Sequence, residues 1–285
     1  MLRSPQELLR RRLQVPSLPR ICTRLNEALD DPRSSTLEIA ELIGNDAALT
    51  ARLLRLVNSS FYGFPTRIET PSQAVMIIGT AHLCDLALTT AITRMFKDIP
   101  EDLVSMESFW RHSIAVGLTA RVLAGHRREP NVERFFVAGV LHDIGRLVLL
   151  QQAPDLAREA ITRARERGEL LHRAEREVVG FDHAVIGATL LRTWGLPVSL
   201  EESVAWHHEP QAAPRHPLEA AIVHVADVMT HALGFGTSGE WFVPPLDPVA
   251  WGLLELPASM VPAIVVEVDE QFADVTRAVL AEAVR

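Results

Sequence analysis

Three features of the 285-residue sequence predict an all-α fold. Apolar residues recur at helical spacing almost throughout, helix start and stop signals are dense, and clean apolar/polar alternation over strand length is hard to find. The most strand-like run, Ala263 to Asp269, fits a helix equally well.

Ser35 and Glu38 form a capping-box pair that opens a helix stopping at Gly44. Asn45 or Asp46 then caps a second helix through Val57. Thr70, Pro71 and Gln73 combine an N-cap, a proline at the first helical position and a glutamine at the third, a strong start signal. Gly79 and Thr80 interrupt that helix, and another runs to about Phe96. Between them, Phe61, Tyr62, Gly63, Phe64 and Pro65 place three aromatics in a connector, either packed inward or offered to a partner. Residues 97–104 turn polar around Pro100 and mark a boundary. Longer helices follow over about 105–125, 132–150, 154–168, 183–194, 199–208 and 218–233. Asp182 can cap the 183–194 helix, and Ser199 with Glu202 reads as a further capping box. A loop rich in Gly and Pro, Gly234 to Pro248, precedes two short C-terminal helices.

Composition narrows the function classes. Hydrophobic residues make up 48% and charged residues 22%, which is enough apolar surface for a folded core. The formal charge of −8 argues against a generic polyanion binder, and aromatics at 6% supply few stacking platforms for single-stranded nucleic acid. Nearly all bases are Arg, Lys97 being the exception. The basic arm Arg10–Arg12 reads as a solvated helix face rather than a contact patch. Cys22 and Cys84 lie in apolar stretches without metal or disulfide spacing. No apolar run approaches the length of a membrane span, and the N-terminus lacks a signal-type apolar core, so a cytoplasmic protein without a membrane anchor is expected.

The chemistry-bearing residues gather in the second half. His142 and Asp143 sit in a strongly apolar stretch, as does Asp227. A buried carboxylate without a partner costs several kcal/mol or protonates. A cation, a group of donors or a metal must therefore meet each one. His112, His183, His207 and His208 lie on neighbouring predicted helices. Imidazoles and carboxylates converging from several helices suit Mn, Fe, Ni or Zn. Hydrogen-bonded core histidines are the ordinary alternative for any one of them.

Leu141 to Gly145 (LHDIG), with His112 before it and His183, His207, His208 and Asp227 after it, resembles the HD superfamily of metal-dependent phosphohydrolases. The resemblance is closer still to the HDOD family, the HD-related output domain. Leu18–Pro19, Ile43–Leu49 (IGNDAAL), Leu53–Ser60 (LLRLVNSS), Phe61–Gly63, Ser72–Gly79, Phe136–Asp143, Gly180–His183 and Trp194–Pro197 stand in the family's order over about residues 15–233. The resemblance implies an N-terminal helical subdomain over 1–104, an HD-type helical subdomain over 105–233, and a C-terminal loop and helices over 234–285. It implies His112, His142, Asp143 and Asp227 as ligands of one divalent metal, and His183, His207 and His208 as ligands of a second, with Asp143 bridging.

Three departures separate the chain from the cyclic-dinucleotide phosphodiesterases of the related HD-GYP group. Arg146 replaces their lysine; it can hold a phosphate in two-pronged fashion but cannot titrate near neutral pH. No Gly-Tyr-Pro follows His207 and His208, and Ser108 stands where trinuclear relatives have a glutamate ligand. The resemblance thus implies a bacterial signal-transduction module that works by binding a protein or a phosphate-containing ligand such as a nucleotide, and that retains its metal site. The alternative is a metal-dependent phosphohydrolase acting on a nucleotide or other phosphate ester.

Overall fold

The computed structural model describes residues 4–9, 17–96 and 99–280; the Arg10–Arg12 arm and Lys97 lie outside them. Among the described residues the fold is all helical, as expected, with no strand. The chain divides into two compact units. One holds Met1–Ser17 and Lys97–Val268, the other Leu18–Phe96 and Asp269–Arg285. This division cuts across the expected order of 1–104, 105–233 and 234–285. The N-terminal helix α1 (Pro5–Leu9) buries Leu8 against helices of the larger unit, and the C-terminal region is shared between the two.

The smaller unit comprises α2 (Arg20–Asp30), α3 (Thr36–Gly44), α4 (Ala47–Val57), α5 (Pro71–Ile78) and α6 (Thr80–Ile92). The capping boxes at Ser35/Glu38 and Thr70/Gln73 both form, and Asp46 rather than Asn45 caps α4. Capping supplies partners for backbone N–H groups that a helix start leaves orphaned. Helix α6 is buried along nearly its whole length and packs on α2, α4 and α5. In the connector after α4, Phe61 turns into the core while Tyr62 and Phe64 stack on each other, half-exposed, with centroids 5.1 Å apart.

The larger unit continues with α7 (Met106–Arg127), α8 (Val132–Leu141), α9 (Ile144–Gln152), α10 (Pro154–Arg167), α11 (Leu171–Val178), α12 (His183–Thr193), α13 (Val198–Trp206), α14 (Pro217–Leu233), α15 (Pro248–Leu254) and the start of α16 (Val261–Leu280). Four expectations are corrected here. The single helix over 132–150 is two, because the chain turns at His142 and Asp143; Asp143 lies at φ −100°, ψ 9°, in the sparsely populated bridge region. Residues 171–178 form a helix that the sequence pattern does not resolve. The Ser199/Glu202 capping box does not form: α13 starts at Val198 behind Pro197, and Glu202 instead accepts from the Arg215 and His216 backbone N–H groups. The last helix is not short, since α16 spans 20 residues.

Backbone contact between helices draws the site together. A Cβ on Gly139 would lie 2.6 Å from the Gly117 Cα, so α7 and α8 touch main chain to main chain. A Cβ on Gly145 would lie 2.0 Å from the His183 carbonyl oxygen and 2.6 Å from the Gly187 nitrogen, so α9 and α12 do the same. Without side chains at these crossings, residues on four helices come within reach of Asp143. Among the described residues no single helix is long and apolar enough to cross a membrane.

Candidate metal centre

Five helices and one turn of the larger unit deliver the cluster. His112 comes from α7, His142 and Asp143 from the turn between α8 and α9, Arg146 from α9, His183 from the start of α12, His207 and His208 from the end of α13, and Asp227 from α14. All eight sequence-predicted residues meet in one place. His112, His142, Asp143, Arg146, His183, His207 and Asp227 are buried, and His208 is half-buried.

Asp143 lies at the centre. Its side chain makes no cap bond to α9, which leaves both carboxylate oxygens for the cluster. Oδ1 lies 2.8 Å from His183 Nε2 and 3.9 Å from His207 Nε2. Oδ2 lies 3.2 Å from His142 Nε2, 3.9 Å from His112 Nε2 and 3.2 Å from Arg146 Nη1. The second carboxylate, Asp227, places Oδ1 at 3.2 Å from His112 Nε2 and 3.6 Å from His142 Nε2. On the other flank, His208 Nε2 is 3.0 Å and His207 Nε2 3.4 Å from His183 Nε2.

Hydrogen bonds on the far side of each ring select the tautomer. His142 Nδ1–H donates to the Gly139 carbonyl at 2.7 Å, His207 Nδ1–H to the Val204 carbonyl at 2.8 Å, and His183 Nδ1–H to Glu175 Oε2 at 2.6 Å. In the neutral rings Nε2 is then a bare lone pair aimed inward, the arrangement typical of metal-ligating histidines. Acceptors thus face acceptors. His142 Nε2, both His112 nitrogens, Asp143 Oδ1 and Asp227 Oδ1 are buried with no hydrogen bond. Orphaned buried polar atoms are costly, so this cluster calls for cations.

Donor atoms of His112, His142 and Asp143 lie within 4.8 Å of one another; so do those of His112, Asp227 and His231, and those of His183, His207 and His208. Donors about 2.0–2.2 Å from a common ion are separated by distances of this order. The donor set of imidazoles and carboxylates fits one or two borderline divalent ions.

Electrostatics agree with that demand. Burial would raise the Asp143 carboxyl, but Arg146, His142 and His183 hold it well below the usual range. Burial would likewise raise Asp227, and His231, His112 and His142 hold it well below. Burial disfavours charge on His142, yet Asp143 and Asp227 outweigh it and lift the imidazole to about 10. His183 is lowered by burial and by Arg146, but Glu175 and Asp143 bring it up to about 9. His112 falls to about 4 and His207 to about 3, chiefly through burial. Without a metal, the carboxylates are therefore balanced by protons on His142 and His183.

Sequence reasoning misses the supporting shell. His231 places Nε2 3.3 Å from Asp227 Oδ1, and its i, i+4 spacing from Asp227 was a readable signal. Glu175 orients His183 through both the ring and the backbone N–H, and His172 stacks on His208 with centroids 4.0 Å apart; both lie on α11, the helix that the sequence pattern does not show. The loop after α14 carries no such signal, yet it covers Arg146. Ser238 accepts a hydrogen bond from Arg146 Nη1, and Glu240 accepts from the Leu171 N–H at 2.7 Å. Gly236, at φ +108°, lets the loop lie on the start of α7, where a Cβ would meet the Ser108 carbonyl oxygen at 2.6 Å. Ser108 itself accepts from the Thr237 N–H at 3.0 Å, so it anchors this loop.

Comparison with known proteins agrees with this architecture. The HDOD domain matches residues 15–210. A Geobacter sulfurreducens HDOD domain protein of unknown function is 26% identical, with a TM-score of 0.78 over 98% of this chain and 96% of that one. A Shewanella amazonensis protein, provisionally named a phosphohydrolase, shares the fold at 23% identity and a TM-score of 0.74, over 93% of this chain and 95% of that one. A Treponema pallidum (strain Nichols) protein without an assigned function is 26% identical over 201 residues, 70% of this chain. The match spans only 39% of that relative's length. With the domain matched over most of its length, the chain belongs to the HDOD family.

Proposed function

We propose that this HDOD protein is a bacterial signal-transduction module that acts by binding a protein or ligand partner, and that its larger unit holds one or two divalent transition-metal ions, Fe, Mn, Ni or Zn. His112, His142, Asp143 and Asp227 would hold the first ion, and His183, His207 and His208 the second. When bound, such an ion supplies Lewis acidity and lowers the pKa of a coordinated water. The chain's own contribution is to orient the rings through Gly139, Val204 and Glu175 and to keep the donors dry.

The observation that carries the regulatory reading is the engagement of Arg146. Its guanidinium lies against Asp143, Glu175 and Ser238, under the Gly236–Glu240 loop, so it neutralises buried carboxylates instead of facing an incoming phosphate. A phosphohydrolase remains the second reading because the donor set is complete, and Arg146 would then have to turn from these partners to a substrate.

The test is metal content of freshly purified protein by mass spectrometry, paired with turnover of mono- and diester phosphates by the loaded chain. Stoichiometric metal that is lost in Asp143→Ala, without turnover, is the expected result. Turnover that disappears with Asp143→Asn would overturn the regulatory reading in favour of the hydrolase, and a folded, metal-free protein would overturn the metal assignment.

A further inference from the structure

The smaller unit carries a cavity of about 610 Å³, in the size range of small-molecule sites. Its lining comes from α4, the α4–α5 connector and the last turns of α16, all within that unit. Three arginines from these three elements surround it: Arg55, Arg67 and Arg277. Leu54, Ile68 and Ala278 supply apolar wall.

Two of the guanidinia are uncommitted. Among the described residues, neither Arg55 nor Arg67 forms an ion pair or hydrogen bond, whereas Arg277 leans on Asp274 at 3.5 Å. Asp274 is further occupied by the Ser60 backbone N–H at 2.8 Å, so its charge is already shared. Glu69 leaves the other carboxylate at the rim with no such partner among the described residues.

The frame behind these groups is rigid. Asn58 clamps Ile68 from both sides: its amide donates to the Ile68 carbonyl and its side-chain oxygen accepts the Ile68 N–H, each at 2.7 Å. The same amide donates to the Leu54 carbonyl, which ties the connector to α4. Arg67 and Glu69 therefore flank a residue with a fixed backbone and line one opening, so that only their side chains must order on binding.

Guanidinium forks match phosphate oxygens in pairs, and three of them around one concavity suit a doubly charged group rather than a single carboxylate. Apolar wall and a rim carboxylate suit an organic moiety that carries hydrogen-bond donors. We infer that this cavity is a binding site for a small organophosphate of nucleotide size, its phosphate held by Arg55, Arg67 and Arg277 and its organic part met by Leu54, Ile68 and Glu69. The inference stands apart from the metal centre, which belongs to the other unit. The concave shape and the chain's overall acidity favour a small molecule over a polyanionic chain.

The test is isothermal titration calorimetry of the full chain with AMP and, separately, inorganic phosphate. Wild type, Asp143→Asn, Arg55→Gln, Arg67→Gln and the double Arg55→Gln/Arg67→Gln variant are compared. Both arginines are exposed, so their replacement leaves the core intact. Saturable AMP binding, tighter than inorganic phosphate, weakened about tenfold or more by each arginine variant and kept by Asp143→Asn, is the expected result. No saturable AMP binding, affinity unchanged in the double variant, equal affinity for inorganic phosphate, or binding lost only in Asp143→Asn would each overturn it.

Discussion

Gly145→Ala isolates the joint on which the metal centre depends. The added Cβ would fall 2.0 Å from the His183 carbonyl oxygen and 2.6 Å from the Gly187 nitrogen. Both obstacles are backbone, so no side-chain rotation relieves them. Reaching even a tight 3.0 Å separation requires α9 and α12 to part by about 1 Å. Overpacking of this kind costs about 1–3 kcal/mol, and a backbone collision belongs at the upper end. With a urea slope of about 3 kcal/mol per molar, a loss of about 3 kcal/mol moves the unfolding midpoint down by about 1 M. The same displacement separates Asp143 from His183, now 2.8 Å apart, so metal retention should fall about tenfold or more. Circular dichroism through a urea series, with metal content measured on the same samples, reads both effects. Gly125→Ala is the control: it lies in α7 with no atom within 4 Å of an added Cβ, and should be neutral or stabilising by up to about 1 kcal/mol. An unchanged midpoint and full metal retention in Gly145→Ala would refute the close-contact reasoning.

Three further outcomes are expected. His142 and His183 are raised to about 10 and 9 in the metal-free fold, so their contribution to its stability is full below about pH 6.5 and is lost as pH rises through 9 to 10. Metal must displace those protons, so its affinity climbs with pH up to about 9 to 10 and levels off above, and calorimetry in buffers of different ionisation enthalpy at pH 7.5 should show about one proton released for each ion, from His142 and from His183. Glu175→Gln keeps the shape but removes the charge that orients His183, and chelator competition should show metal affinity lowered about 10- to 100-fold with little change in the urea midpoint. Cys22 and Cys84 are buried, with thiols pushed up to about 12 chiefly by burial, so thiol reagents at pH 8 should modify them only after unfolding; rapid labelling of the native chain would contradict the packing around α2 and α6.

Local signals in the sequence predicted local structure well. Ser35, Asp46, Thr70 and Asp182 each cap the helix they precede, because a cap needs only its own next three residues. The Ser199 pattern failed for a tertiary reason: Glu202 finds better donors in the Arg215 and His216 backbone. The turn at His142–Asp143 was hidden for a similar reason, since an unbroken apolar period runs through it and only the cluster rewards the bridge conformation of Asp143. His112, His142, Asp143 and Asp227 were legible because ionisable groups in apolar surroundings need partners. Ser238 and Glu240 were not, because a polar loop residue reads the same whether it faces solvent or a buried guanidinium. The arginine-lined cavity was invisible for a related reason, as Arg277 joins Arg55 and Arg67 from the far end of the chain and only through α16.

Charge balance sets how the centre can fill. Asp143, Asp227, Glu175 and Glu240 bring carboxylates to Arg146 and its surroundings, and one guanidinium cannot balance them. Protons on His142 and His183 make up most of the difference in the metal-free fold. An ion held by His112, His142, Asp143 and Asp227 expels the His142 proton and so adds one net positive charge, which the remaining carboxylate charge offsets. An ion held by His183, His207 and His208 expels the His183 proton, since burial already keeps His207 and His208 neutral. Whichever ion enters second adds its net positive charge to a dry cluster that the first has already made more positive. Loading should therefore be stepwise, with a tight first ion and a weaker second ion, each releasing about one proton. Two ions entering with equal affinity would show that this charge count does not govern the site.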